Sequence, residues 1–301
     1  MGKGIRQLDG KVAVITGAAS GIGRALAFVL RKKGCHLALV DLDANGFDAL
    51  GRDLRAAYPT GNLSLHALNV ADKDHMKALA YEVAEAHGGV HLLINNAGVA
   101  YEGSFPQTGL DNWERVMGVN LWGVIYGCHY FMPYLAKVER AHIVNLSSLL
   151  GIVGMAGQTV YCTTKFAVRG FSEALWEELR TTEIGLTVVY PGSVATNIMK
   201  TADGDDPQLM RRLSDWYEQN AISPHRVAAQ IVAAVEKGKP RLLITREVVF
   251  ADCVKRLLPV VGNRIIGDIV IRVLGLEDMR EKRKLRWQQT MIESQEDDCS
   301  R

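Results

Sequence analysis

The feature that most constrains the fold of this chain is a glycine turn between a short apolar strand and an amphipathic helix. Residues 11–16 (KVAVIT) are rich in β-branched side chains and predict a buried strand, and residues 24–31 (RALAFVLR) predict a helix. Gly17 permits a tight turn between them, and Gly21 lets the backbone approach a pyrophosphate. Gly23 lets the helix pack closely, and the free N–H groups of its first turn favour phosphate. This order predicts a dinucleotide-binding unit.

The second predicted strand, residues 35–40, ends at Asp41. An acidic side chain there can accept hydrogen bonds from the ribose hydroxyls of adenosine and would repel a 2′-phosphate. No Lys or Arg occurs in residues 18–20, where a phosphate clamp is expected. The sequence therefore favours NAD over NADP, although Asp41 could also cap the helix that follows.

Strand and helix patterns alternate along the rest of the chain. Further strands are predicted at 63–68, 91–95, 141–146, 186–191 and 241–244. Helices are predicted at 43–57, 72–87, 110–135, 158–182 and 225–236. Strands that are apolar on both faces and alternate with helices predict an α/β fold with a doubly wound parallel sheet of about seven strands. We expect a single domain over residues 8–246.

Tyr161 precedes Lys165 by four residues and follows Ser148 by thirteen. On a helix, positions i and i+4 share a face, so Tyr161 and Lys165 project together. A phenol titrates at about pH 10, and a neighbouring ammonium favours the phenolate. Such a tyrosine can exchange a proton with an alcohol or carbonyl oxygen. Taken alone, the pair could equally be a core tyrosine beside a solvated lysine, and Ser147 leaves an ambiguity about Ser148.

These motifs together resemble the short-chain dehydrogenase/reductase family over residues 8–245. The matching segments, in family order, are 16–23 (TGAASGIG), 95–98 (NNAG), Asn120, Ser148, 161–165 (YCTTK) and 191–196 (PGSVAT). The resemblance implies that Tyr161 is the acid/base and that Ser148 holds the substrate oxygen. It also implies that Lys165 binds the nicotinamide ribose and lowers the tyrosine pKa. Asn120 would anchor a water chain to that lysine.

The resemblance also implies a cofactor site spread along the carboxyl ends of the strands. Its residues would be Gly17, Ser20, Gly21, Ile22, Gly23, Asp41, Asn69, Val70, Asn96, Ala97, Gly98, Tyr161, Lys165, Pro191, Gly192, Val194 and Thr196. Thr196 would bond the nicotinamide carboxamide, and residues 95–98 would brace the sheet beside the adenosine. Asn69 departs from the family, which usually places an aspartate there, but its carbonyl can accept the same bond.

The loops expected around the substrate are largely apolar. The predicted pocket residues are Leu149, Leu150, Met155, Ile198 and Met199, and residues 208–217 could form a helix over them. Arg211 and Arg212 on that helix are the candidates for binding a substrate anion. An apolar pocket favours a hydrophobic secondary alcohol or ketone as substrate. The alternatives are a reductase of 3-oxoacyl thioesters and a non-catalytic NAD-binding scaffold.

Composition excludes several other classes. The chain has 301 residues and a net charge of +2, which gives no reason to expect a nucleic acid partner. Its five cysteines show no paired or metal-ligand spacing, so we expect no metal, reduced thiols and a cytoplasmic location. Apolar side chains on the two long helices at 110–135 and 158–182 predict a homodimer or homotetramer, with ordinary core packing as the alternative.

Residues 247–276 extend beyond the family core. Apolar pairs alternate with Lys255, Arg256, Arg264 and Arg272, which predicts two amphipathic helices interrupted near Pro259. Charges recur too often for a transmembrane span. The extension could pack over the substrate mouth or a second subunit, lie peripherally on a membrane, or bind a partner. Residues 277–301 are highly charged and predict a frayed tail.

Overall fold

The computed structural model describes residues 3–196, 198, 203–204, 206–278 and 287–288. The strands are β1 (Val12–Thr16), β2 (His36–Asp41), β3 (Leu63–Ala67), β4 (Leu92–Asn95), β5 (Tyr101–Glu102), β6 (Ala141–Leu146), β7 (Ile184–Tyr190), β8 (Asp203–Gly204) and β9 (Arg241–Leu243). The helices are α1 (Gly21–Lys32), α2 (Ala44–Ala57), α3 (Lys73–His87), α4 (Leu110–Met117), α5 (Gly123–Leu135), α6 (Thr159–Glu178), α7 (Pro207–Asn220), α8 (Pro224–Lys237), α9 (Arg246–Leu257) and α10 (Val261–Val273).

Seven of these strands form one parallel sheet in the order β3-β2-β1-β4-β6-β7-β9. The central strands β1, β4, β6 and β7 are buried along their whole length, because helices cover both faces of the sheet. The strand order reverses between β1 and β4, which opens a crevice at their carboxyl ends. The predicted doubly wound sheet is confirmed, and each predicted strand lies within two residues of its expected bounds.

The predicted continuous helix over 110–135 is correct in extent but not in geometry. Between α4 and α5 the chain forms a π-helical turn over Gly118–Trp122. The wider turn carries Asn120, whose side chain is completely buried. Single π-helical turns within α-helices are frequent at functional sites, and helical periodicity alone does not reveal them.

The extension beyond β9 folds back onto the domain as two helices. α9 ends at Leu257 and α10 begins at Val261, so the predicted break near Pro259 is confirmed. Asp252 of α9 is held by Arg241 of β9 at 2.8 Å and by Arg256 at 3.0 Å. The hydrogen bond from Arg241 lowers the Asp252 pKa, so this ion pair fixes α9 to the sheet edge. No helix among the described residues is long and apolar enough to cross a membrane.

Helix α7 is held by contacts that precede it and by contacts along its length. Before it, β8 pairs with β5, and Arg115 of α4 contacts Asp203 of β8 at 2.8 Å. Along it, Arg212 donates to the carbonyl of Gly275 and contacts Asp278 at 3.3 Å. Both charged pairs are solvent-exposed. The predicted helix over 208–217 is therefore present, and it lies against the end of α10.

Candidate active site

The glycine turn after β1 forms a tightly packed cradle, with no room for a side chain at Gly17 or Gly23. Gly17 and Gly21 have φ values of 65° and 53°, in the left-handed region that favours glycine. A Cβ on Gly17 would lie 2.8 Å from the Cα of Ala97, and one on Gly23 would lie 2.0 Å from the Gly17 carbonyl oxygen. Gly21 and Ile22 at the start of α1 line the crevice, and the free N–H groups of a first helical turn suit a pyrophosphate.

The loop after β4 holds this turn in place. The Asn96 amide donates to the carbonyl oxygens of Thr16 at 2.8 Å and Gly17 at 3.0 Å. In return, the Thr16 hydroxyl accepts from the backbone N–H groups of Asn96 and Ala97, both at 3.0 Å. The turn and the loop are thus locked together across the point where the strand order reverses.

Asp41 lies at the crevice and braces the same turn. Its carboxylate accepts from the backbone N–H of Ala19 at 2.8 Å and from that of Asp43 at 3.1 Å. The interpretation of Asp41 as the cap of the following helix is wrong, because Asp43 is the N-cap of α2 and accepts from Gly46 at 3.0 Å. Asn69, further along the crevice, accepts from Ala71 at 3.0 Å.

Ser148 and Tyr161 meet at the other end of the crevice. The Ser148 hydroxyl caps a short turn by accepting from the Leu150 N–H at 3.1 Å, and it lies close enough to the Tyr161 phenol to favour ionisation of that group. Its neighbour Ser147 instead donates to the Lys165 carbonyl oxygen at 2.9 Å. The side chain of Ser147 is thereby engaged with the backbone of α6, and Ser148 is the serine that meets the tyrosine.

Lys165 lies behind the tyrosine and is only 4% exposed. Its Nζ donates to the Leu146 carbonyl oxygen at 3.0 Å and lies 5.5 Å from the centre of the Tyr161 ring. Burial lowers the Lys165 pKa to about 8, so the side chain is mostly an ammonium at neutral pH.

The pKa of Tyr161 is raised, whereas the resemblance implied that Lys165 would lower it. Burial raises it above the ordinary value, and the neighbouring Ser148 hydroxyl only partly opposes that effect. The expected depression by Lys165 is therefore wrong for the protein alone, because the ammonium points toward the Leu146 carbonyl and burial is the larger effect. The buried phenol is held in its protonated form.

Asn120 connects the π-helical turn to this group. Its carbonyl oxygen accepts from the Val99 N–H at 2.8 Å, and its amide donates to the Val99 carbonyl at 2.9 Å and to Thr164 at 3.3 Å. A Cβ on Gly98 would lie 3.3 Å from Asn120 Oδ1 and 3.6 Å from Lys165 Nζ. Asn120, Gly98 and Lys165 therefore meet at one point behind the crevice.

A single cavity of about 1380 Å³ brings the predicted residues together. Those lining it are Gly17, Ser20, Gly21, Ile22, Asp41, Asn69, Val70, Asn96, Ala97, Gly98, Ser148, Leu149, Leu150, Met155, Tyr161, Lys165, Pro191, Gly192, Val194, Thr196 and Ile198. Gly23 and Asn120 lie behind its wall. Met199 lies outside the described residues.

Two further walls of the cavity come from α7 and α10. Tyr217 of α7 belongs to the helix predicted over the pocket, and it is close enough to Tyr161 to oppose the ionisation of that phenol. Ile266 and Asn263 of α10 line the same space. The C-terminal extension thus packs over the mouth of the cavity, in agreement with one of the three alternatives left open by its amphipathic pattern. No local signal indicates this contact, because more than a hundred residues separate Asn263 from its partner Gly154.

The sequence matches the family model described as short chain dehydrogenase over residues 11–207. The chain belongs to that family. It is 38% identical over 264 residues to SadH of Mycobacterium tuberculosis, a protein named as an oxidoreductase, with 86% of this chain and 95% of the relative covered.

Solved structures agree with the fold and bear on the cofactor. A short chain dehydrogenase/reductase from Burkholderia phymatum in complex with NAD has a TM-score of 0.79 and 31% identity, covering 84% of this chain and 95% of that one. A metagenomic short-chain oxidoreductase in complex with NADP has a TM-score of 0.66 and 30% identity, covering 79% and 98%. This chain is therefore an oxidoreductase of a family that binds a nicotinamide cofactor.

Proposed function

We propose that the protein is an NAD(H)-dependent oxidoreductase that interconverts a hydrophobic secondary alcohol and its ketone. One observation carries the proposal. The neighbouring side chains of Ser148 and Tyr161, with buried Lys165 behind them, share one cavity with the glycine cradle and with Asp41. The cradle leaves no room for a Cβ and suits a pyrophosphate, so the residues present fit a dinucleotide.

In this reaction Ser148 holds the substrate oxygen and Tyr161 moves its proton. Bound NAD(H) supplies the hydride acceptor or donor. The raised pKa of Tyr161 keeps the phenol protonated, which is the form that donates a proton to a carbonyl oxygen during reduction. In alcohol oxidation Tyr161 accepts the hydroxyl proton, and the Lys165 ammonium is the nearby cation that favours the phenolate. Positioning and electrostatics carry most of the rate enhancement.

The preference for NAD rests on Asp41. A fixed carboxylate at the end of β2 can accept from ribose hydroxyls, and its charge repels a 2′-phosphate. Among the basic side chains that the structure describes, only Lys165 and Arg264 line the cavity, and neither lies near Asp41 in the fold. A phosphate clamp is therefore missing from this part of the site.

The hydrophobic substrate is supported by what lines the cavity beyond Tyr161. Leu149, Leu150, Met155 and Ile198 contribute apolar surface near the Ser148–Tyr161 pair. Arg212, a candidate for binding a substrate anion, is instead turned toward the end of α10. A neutral, apolar substrate loses the least free energy of hydration when it enters such a pocket.

We also propose a homodimer or homotetramer and a peripheral membrane contact. Exposed Trp122, Phe166 and Trp176 lie on the helical face where the sequence predicts a subunit seam. At the turn between α9 and α10, Leu257 and Val260 are 80% and 81% exposed, which supports shallow contact with a lipid surface. A cytoplasmic location accompanies this proposal.

The direct test follows NADH absorbance with aliphatic and cyclic secondary alcohols, offering NAD and NADP separately. We expect turnover with NAD on hydrophobic alcohols. Tyr161→Phe should remove turnover and leave NADH binding close to wild type, because the phenyl ring keeps the packing and loses only the hydroxyl. Full activity of Tyr161→Phe would contradict the proposal. NAD binding without turnover on any alcohol or ketone would favour a 3-oxoacyl thioester substrate or a non-catalytic scaffold.

A further inference from the structure

The cavity does not end at the catalytic pair but continues beneath the C-terminal helix. Its lining includes most residues of the segment 263–274. Within that segment Ile266, Val270 and Leu274 recur every four residues, which places these apolar side chains along one side of the helix. The lined segment covers twelve residues, which is about 16 Å at the helical rise. The cavity therefore extends along α10, and we call this part of it the channel.

Helix α7 forms part of the facing wall. Its Leu209 and Leu213 are buried, line the cavity, and cluster with Ile271, Leu274 and Leu276. This small apolar cluster is separate from the two main cores of the domain. It lies at the end of the channel that is farthest along α10 from Asn263.

Helix α10 contributes three polar side chains to the lining of the channel, those of Asn263, Arg264 and Asp268. Both polar atoms of the Asn263 amide are hydrogen-bonded to Gly154. Arg264 and Asp268 are exposed, so their charges remain in contact with solvent. A polar group carried deep into this channel would lose its hydration without gaining equivalent partners, whereas a methylene would be favourably buried.

We propose that the substrate of this site carries an extended alkyl chain. The carbinol or carbonyl carbon lies at Ser148 and Tyr161, and the chain runs along α10 toward Leu213 and Leu274. This inference rests on the proposed function and names its substrate class. The C-terminal extension is, on this basis, the part of the chain that selects substrates by length.

The first test is a chain-length series on the wild-type protein. Secondary alcohols from butan-2-ol to hexadecan-2-ol, presented as cyclodextrin complexes, are oxidised with NAD and compared by kcat/KM. We expect kcat/KM to rise by up to about fourfold for each methylene buried, then level off when the channel is full. A flat or falling series, or a preference for fused-ring alcohols, would overturn the inference. Absence of turnover on every alcohol and ketone would instead overturn the proposed function.

The second test blocks the channel. Gly267 lines it, and a Cβ built there meets no atom within 4 Å, so a larger side chain can enter the space without displacing the helix. Gly267→Phe should lower the ratio of kcat/KM for dodecan-2-ol to that for butan-2-ol at least tenfold. Ile265→Phe places the same ring on the same helix at an exposed position outside the cavity, and it should leave the ratio unchanged.

An unaltered ratio in a folded Gly267→Phe protein, or an equal fall in both variants, would contradict an alkyl channel along α10. Melting temperature and NADH binding establish that each variant is folded. If the phenylalanine variant is unstable, Gly267→Leu makes the same comparison with a smaller side chain, and the wild-type series stands independently of both.

Discussion

Asn263 and Gly154 form a reciprocal pair of hydrogen bonds that joins α10 to the loop after Ser148. The Asn263 carbonyl oxygen accepts from the Gly154 N–H at 3.0 Å, and the amide donates to the Gly154 carbonyl oxygen at 3.0 Å. One side chain thus satisfies both backbone groups of a residue six positions beyond Ser148. The C-terminal extension is thereby fixed to the loop that follows Ser148.

Replacing Asn263 by leucine should loosen this connection. Gly154 would lose both partners, which costs about 1–3 kcal/mol for each partly buried group left unpaired. We expect a lower melting temperature and a KM for alcohol raised about tenfold, with a smaller change in kcat, because Ser148 and Tyr161 are untouched. Asn263→Asp keeps the acceptor, so its melting temperature and its KM should lie between those of the wild type and those of the leucine variant. Identical KM values in all three proteins would show that the pair plays no part in shaping the pocket.

Substitution of Asp41 should change the choice of cofactor. Asp41→Ala removes the carboxylate that can accept from the ribose, so we expect NADH affinity to fall about 10- to 100-fold and discrimination against NADPH to relax. Since Asp41 also braces Ala19, the control is Asp41→Asn, which retains an acceptor and removes only the charge. Fluorescence titration gives both Kd values. An undiminished preference for NADH in both variants would mean that the ribose is recognised elsewhere.

Gly23 should be intolerant of a single methyl group. Its Cβ would lie 2.0 Å from the Gly17 carbonyl oxygen and 2.7 Å from the Asn96 amide, so the cradle must open to admit it. We expect Gly23→Ala to lower the melting temperature and to weaken NADH binding at least tenfold. The matched control is Gly170→Ala, also within a helix but with no atom within 4 Å of the new Cβ. Gly170→Ala should raise the free energy of unfolding by about 0.5–1 kcal/mol. Equal effects at both positions would refute the argument.

The buried ammonium of Lys165 should make stability depend on pH. Burial lowers its pKa from 10.5 to about 8, which corresponds to about 3 kcal/mol of destabilisation while both the folded and the unfolded chain carry the proton. Above pH 8 the folded state releases this proton before the unfolded state does, so the destabilisation shrinks as the pH rises.

Comparison with Lys165→Met isolates this effect, since other titrating groups are common to both proteins. The free energy of unfolding of wild type minus that of the variant should increase by about 2 kcal/mol between pH 7 and pH 9.5. Denaturant titrations at the two pH values measure the difference. A difference that stays constant with pH would show that Lys165 is not desolvated in the folded state.

Local patterns in the sequence were sufficient for the sheet and for most of the site. The strands are apolar runs in the sequence. Gly17, Gly21 and Tyr161 belong to motifs whose residues lie close together in the chain. The π-helical turn at Asn120 was not predicted, because one wider turn changes the apolar spacing at a single place in a long helical pattern. The pairing of Asn263 with Gly154 and the raised pKa of Tyr161 arise from residues far apart in the chain. They emerge only once the whole fold has assembled.

The contacts that hold α7 in place differ in how they respond to the salt concentration. The pairs Arg115–Asp203 and Arg212–Asp278 are exposed, and dissolved ions screen exposed charges over about 10 Å at 0.1 M salt. The apolar contacts of Leu209 and Leu213 are not weakened in this way. Helix α7 is thus held by one set of contacts that salt weakens and by another that salt leaves intact. We therefore expect ionic strength to affect this wall of the cavity more than it affects the buried hydrogen bonds of Lys165 and Asn120.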